Sequence, residues 1–544
     1  MSTNLKRNND FVVQAGILAA AGIICRLIGL IYRVPLANIL TDEGNGYYST
    51  AYNIYTIVLL LASYSIPSAI SKLMAGKLEQ GEYKNAQRIF CCALMYVGAV
   101  GLLAGLFLFF GAELLLDGKA ALVLRVFAPT VLIYGFLGVL RGYFQANKSM
   151  VQTSVSQICE QILNAVVSVG AAYYFMQAFH QAPEYGAIGS ALGTMSGVIT
   201  ALFVMLWAYY INRKYIKRRL DKDESTVLDG YGEIFKSMLF IVTPIILSTF
   251  IYNFNITLNN NLFTKIAMSH YGMSEKQSFS IFGIYSGKAV LLSDVPVALA
   301  SAMSAALIPV VSGAFVKEGR KVAGEKAEVA IHTTMLFAIP ASAGLFVLAE
   351  PILSLLFNFE TPADLQMAVV LLRMMTLSIC FYSLSTVSNG ILQGIGKVNR
   401  PVINAAIALA VQTVVVVGLL LGTELGIYAL PIAFLLYATL MSFLNQLAVR
   451  KELDCKIHVM QVFIKPAVSS LVMGSAAYLI YTCVYLVLPI NIVALVISVI
   501  FAVIVYVVAM MMCGGITEET LDNIPKGGML KPIVRKFSRS RRKV

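Results

Sequence analysis

Charged residues and histidines are scarce in this 544-residue chain, and each scarcity excludes a class of protein. Only 13% of the residues are charged, whereas 58% are hydrophobic. A single soluble core stops growing at about 250 to 300 residues, so an apolar excess of this size must meet lipid. The four histidines are scattered and form no H-E-x-x-H motif or Cys/His cluster, which leaves metal catalysis without ligands.

Other absences narrow the function further. The chain has no G-x-x-x-x-G-K-[ST] phosphate loop, which argues against direct ATP hydrolysis. Its eight cysteines fall in predicted spans or on the predicted cytoplasmic side, so no disulfide framework is expected. We therefore expect a protein that is not an enzyme and that needs no metal or cofactor.

The net charge of +13 raises the question of nucleic-acid binding. The basic residues lie mostly in short loops and in a C-terminal tail, rather than in one separate domain. We interpret the tail as a solvated segment against anionic lipid, with a specific partner or a nucleic-acid site as the alternative. For the chain as a whole, no nucleic-acid partner is expected.

Hydrophobic runs of membrane-spanning length recur along the sequence. A span requires about twenty mostly apolar residues. The runs place spans at 11–34, 47–75, 89–112, 120–146, 153–178, 187–211, 234–266, 280–316, 327–350, 366–395, 402–422, 428–449, 463–487 and 489–512. We therefore predict an all-α polytopic membrane protein with about fourteen transmembrane helices.

The loops between these spans alternate in charge. One set carries clusters of lysine and arginine, as at 213–222 and 317–326, while the intervening loops carry acids such as Asp42, Glu43 and Glu424. By the positive-inside rule the basic loops are cytoplasmic. We expect a multi-pass protein of the cell membrane with both termini in the cytoplasm, which requires an even number of spans.

Two short patterns recur at nearly the same spacing. Residues 141–145 (RGYFQ) resemble residues 389–393 (NGILQ), and the stretch around Pro67 resembles the stretch around Pro309. Six spans separate the members of each pair, which indicates a parallel repeat about an axis along the membrane normal. We predict two six-helix lobes with two extra C-terminal helices. The predicted domains are an N-lobe at 1–222, a C-lobe at 223–452, helices 13 and 14 at 453–512, and a basic cytoplasmic tail at 513–544.

Charged residues inside the predicted spans are the candidate functional residues. They are Arg26 and Arg33 in helix 1, Lys72 in helix 2, Glu160 in helix 5, and Lys288 and Asp294 in helix 8. A charge at mid-membrane costs about 2.5 to 3.5 kcal/mol, so it should face a wet cavity or a partner. Arg33 and Lys72 lie near span ends, where a long side chain can instead reach the interface. For Glu160, the roles of counter-ion, proton site and hydrogen-bonding residue between lobes remain open.

The sign of these charges indicates what a cavity would attract. The deep charges of helices 1 and 8 are mostly cationic, with Asp294 as the main acid. Such a cavity attracts an anion, such as a pyrophosphate, and repels cationic drugs. Arginine suits this task because its planar fork holds phosphate oxygens in two hydrogen bonds. Pro67, Pro296 and Pro309 supply bends at which one lobe can rock against the other.

Helix 7 carries a stripe of asparagines that includes Asn255 and Asn259. Their amide oxygens could coordinate Na⁺ or bind a sugar, and packing between helices is the alternative. The stripe contains no carboxylate, which weakens the interpretation as a cation site.

The chain resembles the polysaccharide-transporter branch of the multidrug, oligosaccharidyl-lipid and polysaccharide (MOP) flippase superfamily, which includes MurJ-type lipid II flippases and the stage V sporulation protein B group. The resemblance rests on residues 25–33 (CRLIGLIYR), 45–48 (NGYY), 141–145 (RGYFQ) and 294–309, and it extends over nearly the whole chain. Gly46 stands where an acid is common in the family.

The resemblance implies alternating access by two lobes that form a V around a central cationic cavity. The cavity would take the pyrophosphate and sugar of an undecaprenyl-linked precursor, and helices 13 and 14 would line a groove for its lipid tail. In this family the functional cations come from helices 1, 2 and 8. Arg26 and Arg33 match the first of these helices, and Lys72 and Lys288 match the other two approximately.

Our hypothesis is therefore a flippase that moves lipid II to the outer leaflet, driven by the membrane potential, H⁺ or Na⁺. A flippase for another lipid-linked oligosaccharide, such as a capsule, teichoic acid or spore cortex precursor, is the nearest alternative. A cation-coupled multidrug exporter is a more distant one, because it predicts an acidic cavity. The expected partners are the lipid-linked saccharide and membrane lipids, with cell-wall synthesis enzymes left open, and the expected state is a monomer.

Overall fold

The computed structural model describes residues 2–64, 66–116, 118–180, 182–223, 228–453 and 457–515, and these contain helices and no strands. The chain forms two compact units that divide between Gly283 and Ile284. The predicted basic tail lies almost entirely outside the described residues. The chain is thus an all-α polytopic membrane protein, as the hydropathy predicted.

The first unit contains the helices up to α9. They are α1 (Ser2–Leu59), α2 (Ile66–Glu79), α3 (Tyr83–Phe110), α4 (Ala112–Leu115), α5 (Ala120–Ala146), α6 (Val151–Ala178), α7 (Pro183–Asp221), α8 (Tyr231–Ser269) and α9 (Glu275–Ile284). A π-helical segment, Leu60–Tyr64, joins α1 to α2. The predicted lobe boundary was at residue 222. Both α8 and nearly all of α9 come after that residue in the sequence, but they belong to the first unit.

The second unit contains α10 (Leu291–Lys317), α11 (Arg320–Val347), α12 (Ala349–Leu356), α13 (Pro362–Gly394), α14 (Asn399–Gly422), α15 (Ala429–Leu453), α16 (Lys465–Val487) and α17 (Asn491–Cys513). Two π-helical segments precede α10 and α16, at Tyr285–Val290 and Met460–Ile464.

Within the described residues, twelve segments are long and apolar enough to cross a membrane. Each predicted span overlaps one or more helices, and the predicted seventh span corresponds to α8. The predicted second and eighth spans are each interrupted by a π-helical segment. The first segment, Ala20–Ser63, holds predicted spans 1 and 2 together. They are separated at Thr41, where the backbone leaves the helical region with a φ of 61°.

The break at Thr41 is stabilised by one side chain. Asn45 donates hydrogen bonds of 2.7 Å from Nδ2 to the carbonyl oxygens of both Ala37 and Thr41. These are carbonyls at the end of one helix, and an amide donor satisfies them without water. A single asparagine therefore stabilises the change of direction between predicted spans 1 and 2.

The predicted repeat is visible in matching contacts within each unit. Ser63 donates a hydrogen bond to the carbonyl oxygen of Val131 on α5, and Ser304 donates one to that of Thr386 on α13. A Cβ at Gly142 would lie 2.8 Å from the carbonyl oxygen of Pro67, and one at Gly390 would overlap Ser304. The matched glycines of the two sequence patterns thus serve the same purpose, which is close approach of a neighbouring helix.

Gly46 is also required by packing. A Cβ at Gly46 would overlap the carbonyl oxygen of Phe279 on α9, and one at Gly283 would overlap that of Asp42. The beginning of predicted helix 2 and α9 therefore touch backbone to backbone. This contact leaves no room for the acidic side chain that the resemblance implied at position 46.

We expect Gly46→Ala to destabilise the protein, because forcing a methyl group into a filled contact costs about 1 to 3 kcal/mol. Gly76→Ala is the matched control, since nothing lies within 4 Å of a Cβ there. In α2 this change should be neutral or stabilising by up to about 1 kcal/mol. Thermal unfolding of both variants in detergent checks the sign, and an equal shift for the two would contradict the packing argument.

A polar cluster fastens the segment between α7 and α8 to the turn between α2 and α3. Lys77 forms ion pairs of 2.9 Å with Glu82 and 2.7 Å with Asp229. The amide of Asp229 donates to Asn85, and Arg88 donates to the carbonyl oxygen of Asp229. Hydrogen bonds to Asp229 and Glu82 raise the pKa of Lys77, while those from Asn85 and Lys77 lower the pKa of Glu82.

The shifted pKa values set the pH range in which this cluster stabilises the fold. The pKa of Glu82 lies below its ordinary value of 4.5, so its contribution is present above that pH and is lost as acid protonates it. We expect Lys77→Met to lower the melting temperature at pH 7, with the difference shrinking below pH 4.5. Lys148→Met, which removes an exposed ion pair with Glu79, should change little. A pH-independent difference for Lys77→Met would contradict this interpretation.

Candidate substrate-binding site

Arg26 and Arg33 lie on the same face of α1, because seven residues correspond to nearly two helical turns. Arg26 is exposed and Arg33 is half-buried. Two guanidinium groups about 10 Å apart along one helix can contact different parts of one elongated anionic group. That both arginines bind a substrate remains a prediction.

Phenol groups surround Arg33. Tyr32, Tyr48 and Tyr52 lie close enough to interact with its guanidinium electrostatically, and the rings of Tyr48 and Tyr52 stack at 5.7 Å. Asn164 on α6 donates a hydrogen bond to the hydroxyl of Tyr32. Packing and hydrogen bonding hold these rings, so they limit the conformations that Arg33 can adopt. We call Tyr32, Tyr48 and Tyr52 the tyrosine cage.

Sequence reasoning missed this cage. Tyr48, Tyr52 and Tyr55 are spaced by four and three residues, which places them on one face of a helix. Phe127 of α5 packs against that face and stacks on Tyr55 at 4.7 Å. The periodicity was available in the sequence, but the partner Phe127 and the adjacency to Arg33 depend on tertiary packing.

Glu160 forms a buried ion pair. Its carboxylate accepts a hydrogen bond of 2.7 Å from Arg141, whose side chain also donates to the hydroxyl of Ser156. The side chains of Arg141 and Glu160 are 6% and 15% exposed. Three roles were left open for Glu160, and its ion pair with Arg141 is the contact expected of a counter-ion. Cys25, the residue before Arg26, is close enough to interact with both charges.

Lys72 and Lys288 differ in environment. Lys72 is exposed on α2. Lys288 is only 1% exposed, lies in the π-helical segment before α10, and donates a hydrogen bond of 2.7 Å to the carbonyl oxygen of Asn358. Its ammonium also lies 3.9 Å from the centre of the Phe359 ring. The flexible lysine stem thus carries the charge to a carbonyl and an aromatic face rather than presenting it to solvent.

Asp294 is exposed six residues beyond Lys288, on the first turn of α10. It is close enough to interact electrostatically with the phenols of Tyr285 and Tyr382. Arg33 and Glu160 thus lie in the first unit, and the buried Lys288 and the exposed Asp294 lie in the second. Their joint membership of one cavity remains a prediction.

The predicted asparagine stripe packs inside the first unit. Asn259 donates to Asn255 over 2.9 Å, and Asn260 accepts a hydrogen bond from Thr50 of α1. Asn255 and Asn259 are 2% and 5% exposed. These contacts are those of packed helices. In the part of the chain that the structure describes, no group of three His, Cys, Asp or Glu residues is placed to hold a metal.

Comparison with known proteins assigns the chain to a family. The family described as "Polysaccharide biosynthesis protein" matches residues 11–315, and the family described as "MatE" matches residues 289–419. The lipid II flippase MurJ of Bacillus subtilis (strain 168) is 26% identical over 473 residues, which is 81% of this chain and 83% of MurJ. Stage V sporulation protein B of the same organism is 26% identical over 449 residues, covering 81% of this chain and 84% of that protein.

The fold has solved counterparts as well. A structure of the lipid II flippase MurJ in an inward closed conformation superposes with a TM-score of 0.66 at 16% identity, covering 91% of this chain and 98% of that one. Identity at this level shows the fold alone. The profile match over more than half of the chain shows the family. The chain therefore belongs to the polysaccharide biosynthesis protein family.

Proposed function

We propose that the protein flips lipid II, the undecaprenyl pyrophosphate-linked precursor of peptidoglycan, from the inner to the outer leaflet by alternating access. In this mechanism the charged headgroup crosses between two lobes while the lipid tail stays in the membrane. Two relatives, the B. subtilis flippase MurJ and the MurJ of known structure, are described as lipid II flippases. Their similarity supports the assignment, and the chemistry of α1 supplies the physical reason.

The observation that carries the proposal is the pair Arg26 and Arg33 on one face of α1, with Arg33 held by the tyrosine cage. A charge near the middle of a membrane costs about 2.5 to 3.5 kcal/mol, so two arginines on one face of a membrane-spanning helix need a compensating function. A pyrophosphate offers charge and several acceptor oxygens, and arginine binds such oxygens in a bidentate manner. The headgroup would replace water around both guanidinium groups.

The other candidate residues take secondary roles. In our proposal Lys72 and Lys288 add positive charge along the path, and Lys288 does so once its ammonium leaves Asn358 and Phe359. Asp294 and Glu160 balance these charges, and α16 and α17 form the groove for the lipid tail. We place the protein in the cell membrane as a monomer with both termini in the cytoplasm, in accordance with the loop charges.

The membrane potential can drive the cycle without a dedicated ion site. Moving one charge across the membrane is worth about 2.3 kcal/mol per 100 mV. An inside-negative potential favours the return of an emptied cationic cavity to the cytoplasmic side. Coupling to H⁺ or Na⁺ remains an alternative to be tested by collapsing each gradient separately.

A second candidate is a flippase for a different undecaprenyl pyrophosphate-linked saccharide. Stage V sporulation protein B is as similar to this chain as MurJ is, at 26% identity over comparable coverage. The cationic face of α1 recognises the pyrophosphate and therefore does not choose between saccharides. The two candidates share a mechanism and differ in the headgroup.

Expression of this chain in a bacterium depleted of its own lipid II flippases separates the candidates. We expect lipid II on the outer face, measured by its accessibility to an added enzyme that cleaves it, to return to at least half of its normal level. An empty vector supplies the baseline. No recovery by a chain that reaches the membrane would overturn the lipid II assignment, and recovery of another undecaprenyl-linked saccharide would favour the second candidate.

A further inference from the structure

The C-terminal half of α7 carries a surface that the proposed transport cycle does not use. At 39 residues α7 is about 58 Å long, whereas the hydrocarbon core of a bilayer is about 30 Å thick. If Pro183 lies near one membrane surface, the helix reaches the other near residue 203. The rest of α7 therefore crosses the headgroup region and continues beyond it.

One face of this extension is anchored to the first unit. Arg219 donates a hydrogen bond of 3.0 Å to Asn147 and lies 4.7 Å from the centre of the Tyr83 ring. Tyr209 stacks on Phe90 with ring centres 5.5 Å apart. Residues 209 and 219 lie about 80° apart around the helix axis, and together their contacts hold the side opposite Arg219 in a fixed orientation.

The opposite face changes from aromatic to basic along its length. It presents Phe203, Leu206, Trp207 and Tyr210, followed by Arg213, Lys214 and Lys217. All seven are exposed, and the chain's single tryptophan is 61% exposed. Apolar and aromatic side chains at the interface, with cations immediately beyond them, match the order of acyl chain, glycerol and phosphate in a phospholipid.

A shallow surface depression lies where the two zones meet. It has a volume of about 500 Å³, is mostly open to its surroundings, and is lined by Phe203, Leu206, Trp207, Tyr209, Tyr210 and Arg213 of α7. The Arg213 guanidinium lies 4.1 Å from the centre of the Tyr210 ring, which fixes it at the rim. An arginine in this position can bind a phosphate while the aromatic walls contact the attached chain.

We propose that this face of α7 binds an anionic phospholipid of the leaflet at which α7 ends, with its phosphate at Arg213, Lys214 and Lys217. Charge complementarity selects an anionic headgroup over a zwitterionic one. By the positive-inside rule this is the cytoplasmic leaflet, whose lipids are anionic. The proposal is independent of which saccharide lipid the protein transports.

Native mass spectrometry of the full-length purified protein, titrated with phosphatidylglycerol or phosphatidylcholine, tests the proposal. Each basic residue near an anionic surface contributes about fivefold to affinity. We therefore expect the triple variant R213Q/K214Q/K217Q to bind phosphatidylglycerol at least tenfold more weakly than the wild type. The matched control R320Q/K321Q/K326Q removes the same charge from three exposed positions of α11 and should bind normally.

Three outcomes would overturn the proposal. They are an equal loss in the control triple, equal binding of the two phospholipids by the wild type, and a parallel loss of undecaprenyl pyrophosphate binding in the α7 triple. The last outcome would assign the site to the transported lipid. A salt titration of the wild type provides a measurement that needs no variant: binding should weaken as salt rises, and salt-independent binding would contradict the electrostatic basis.

Discussion

Replacement of Arg26 or Arg33 with alanine is expected to lower the rate of lipid II translocation by at least tenfold. Each substitution removes charge-assisted hydrogen bonds to the pyrophosphate, which are worth about 1.5 to 3 kcal/mol, or about 10- to 150-fold. Lysine at either position should restore part of the rate, because it keeps the charge. It should not restore the full rate, because it cannot form the two parallel hydrogen bonds of arginine. The measurement is lipid II exposure on the outer face of cells in which the variant is the sole flippase.

Arg125→Ala is the matched control for these substitutions. Arg125 is also an arginine within a span of the first unit, but its side chain is bound to Glu113 over 2.7 Å and to the carbonyl oxygen of Phe109. Its loss should leave translocation within about twofold of the wild type, since exposed ion pairs contribute little. Equal effects at positions 26, 33 and 125 would mean that any charge change in the span impairs the protein, and would remove the site assignment.

Glu160→Ala is expected to destabilise the first unit by about 3 to 5 kcal/mol, because it leaves the buried guanidinium of Arg141 without its carboxylate. The amide in Glu160→Gln keeps an acceptor for Arg141 and should cost less. Unfolding in detergent, followed by the accessibility of buried cysteines such as Cys92, reports the difference. The exposed pair of Lys148 and Glu79 serves as the control, and Glu79→Ala should change stability by less than about 1 kcal/mol.

The same variants decide the role of Glu160. If the carboxylate only pairs with Arg141, the loss of transport rate in Glu160→Gln should be explained by its loss of folding stability. A Glu160→Gln protein that folds like the wild type yet fails to transport would contradict a purely structural role, and would favour the proton site that the sequence left open.

Much of the fold could be predicted because membrane insertion is governed by local composition. A span of apolar residues must form its own hydrogen bonds, so its length and hydropathy identify it. The repeat could also be recognised in the sequence, because Gly142 and Gly390 both lie where a neighbouring helix leaves no room for a Cβ atom. The break at Thr41 was not readable in detail, because it depends on two carbonyls that one asparagine side chain happens to reach.

The candidate site was predictable only in part. Arg26 and Arg33 stand out because charge is costly in an apolar segment, and this reasoning needs no structure. The pairing of Glu160 with Arg141, and the placing of Lys288 on Asn358, depend on contacts between separate helices and loops. Hydropathy identifies a buried charge, but only tertiary structure identifies its partner.

Binding of the pyrophosphate headgroup is the central physical claim, and it can be measured without transport. The purified wild type is titrated with undecaprenyl pyrophosphate and with undecaprenol, which has the same tail and no charge. We predict that the wild type binds the pyrophosphate lipid at least tenfold more tightly, that R26A/R33A loses this preference, and that R125A keeps it. A preference of the same size in R26A/R33A, or none in the wild type, would contradict the proposed role of α1.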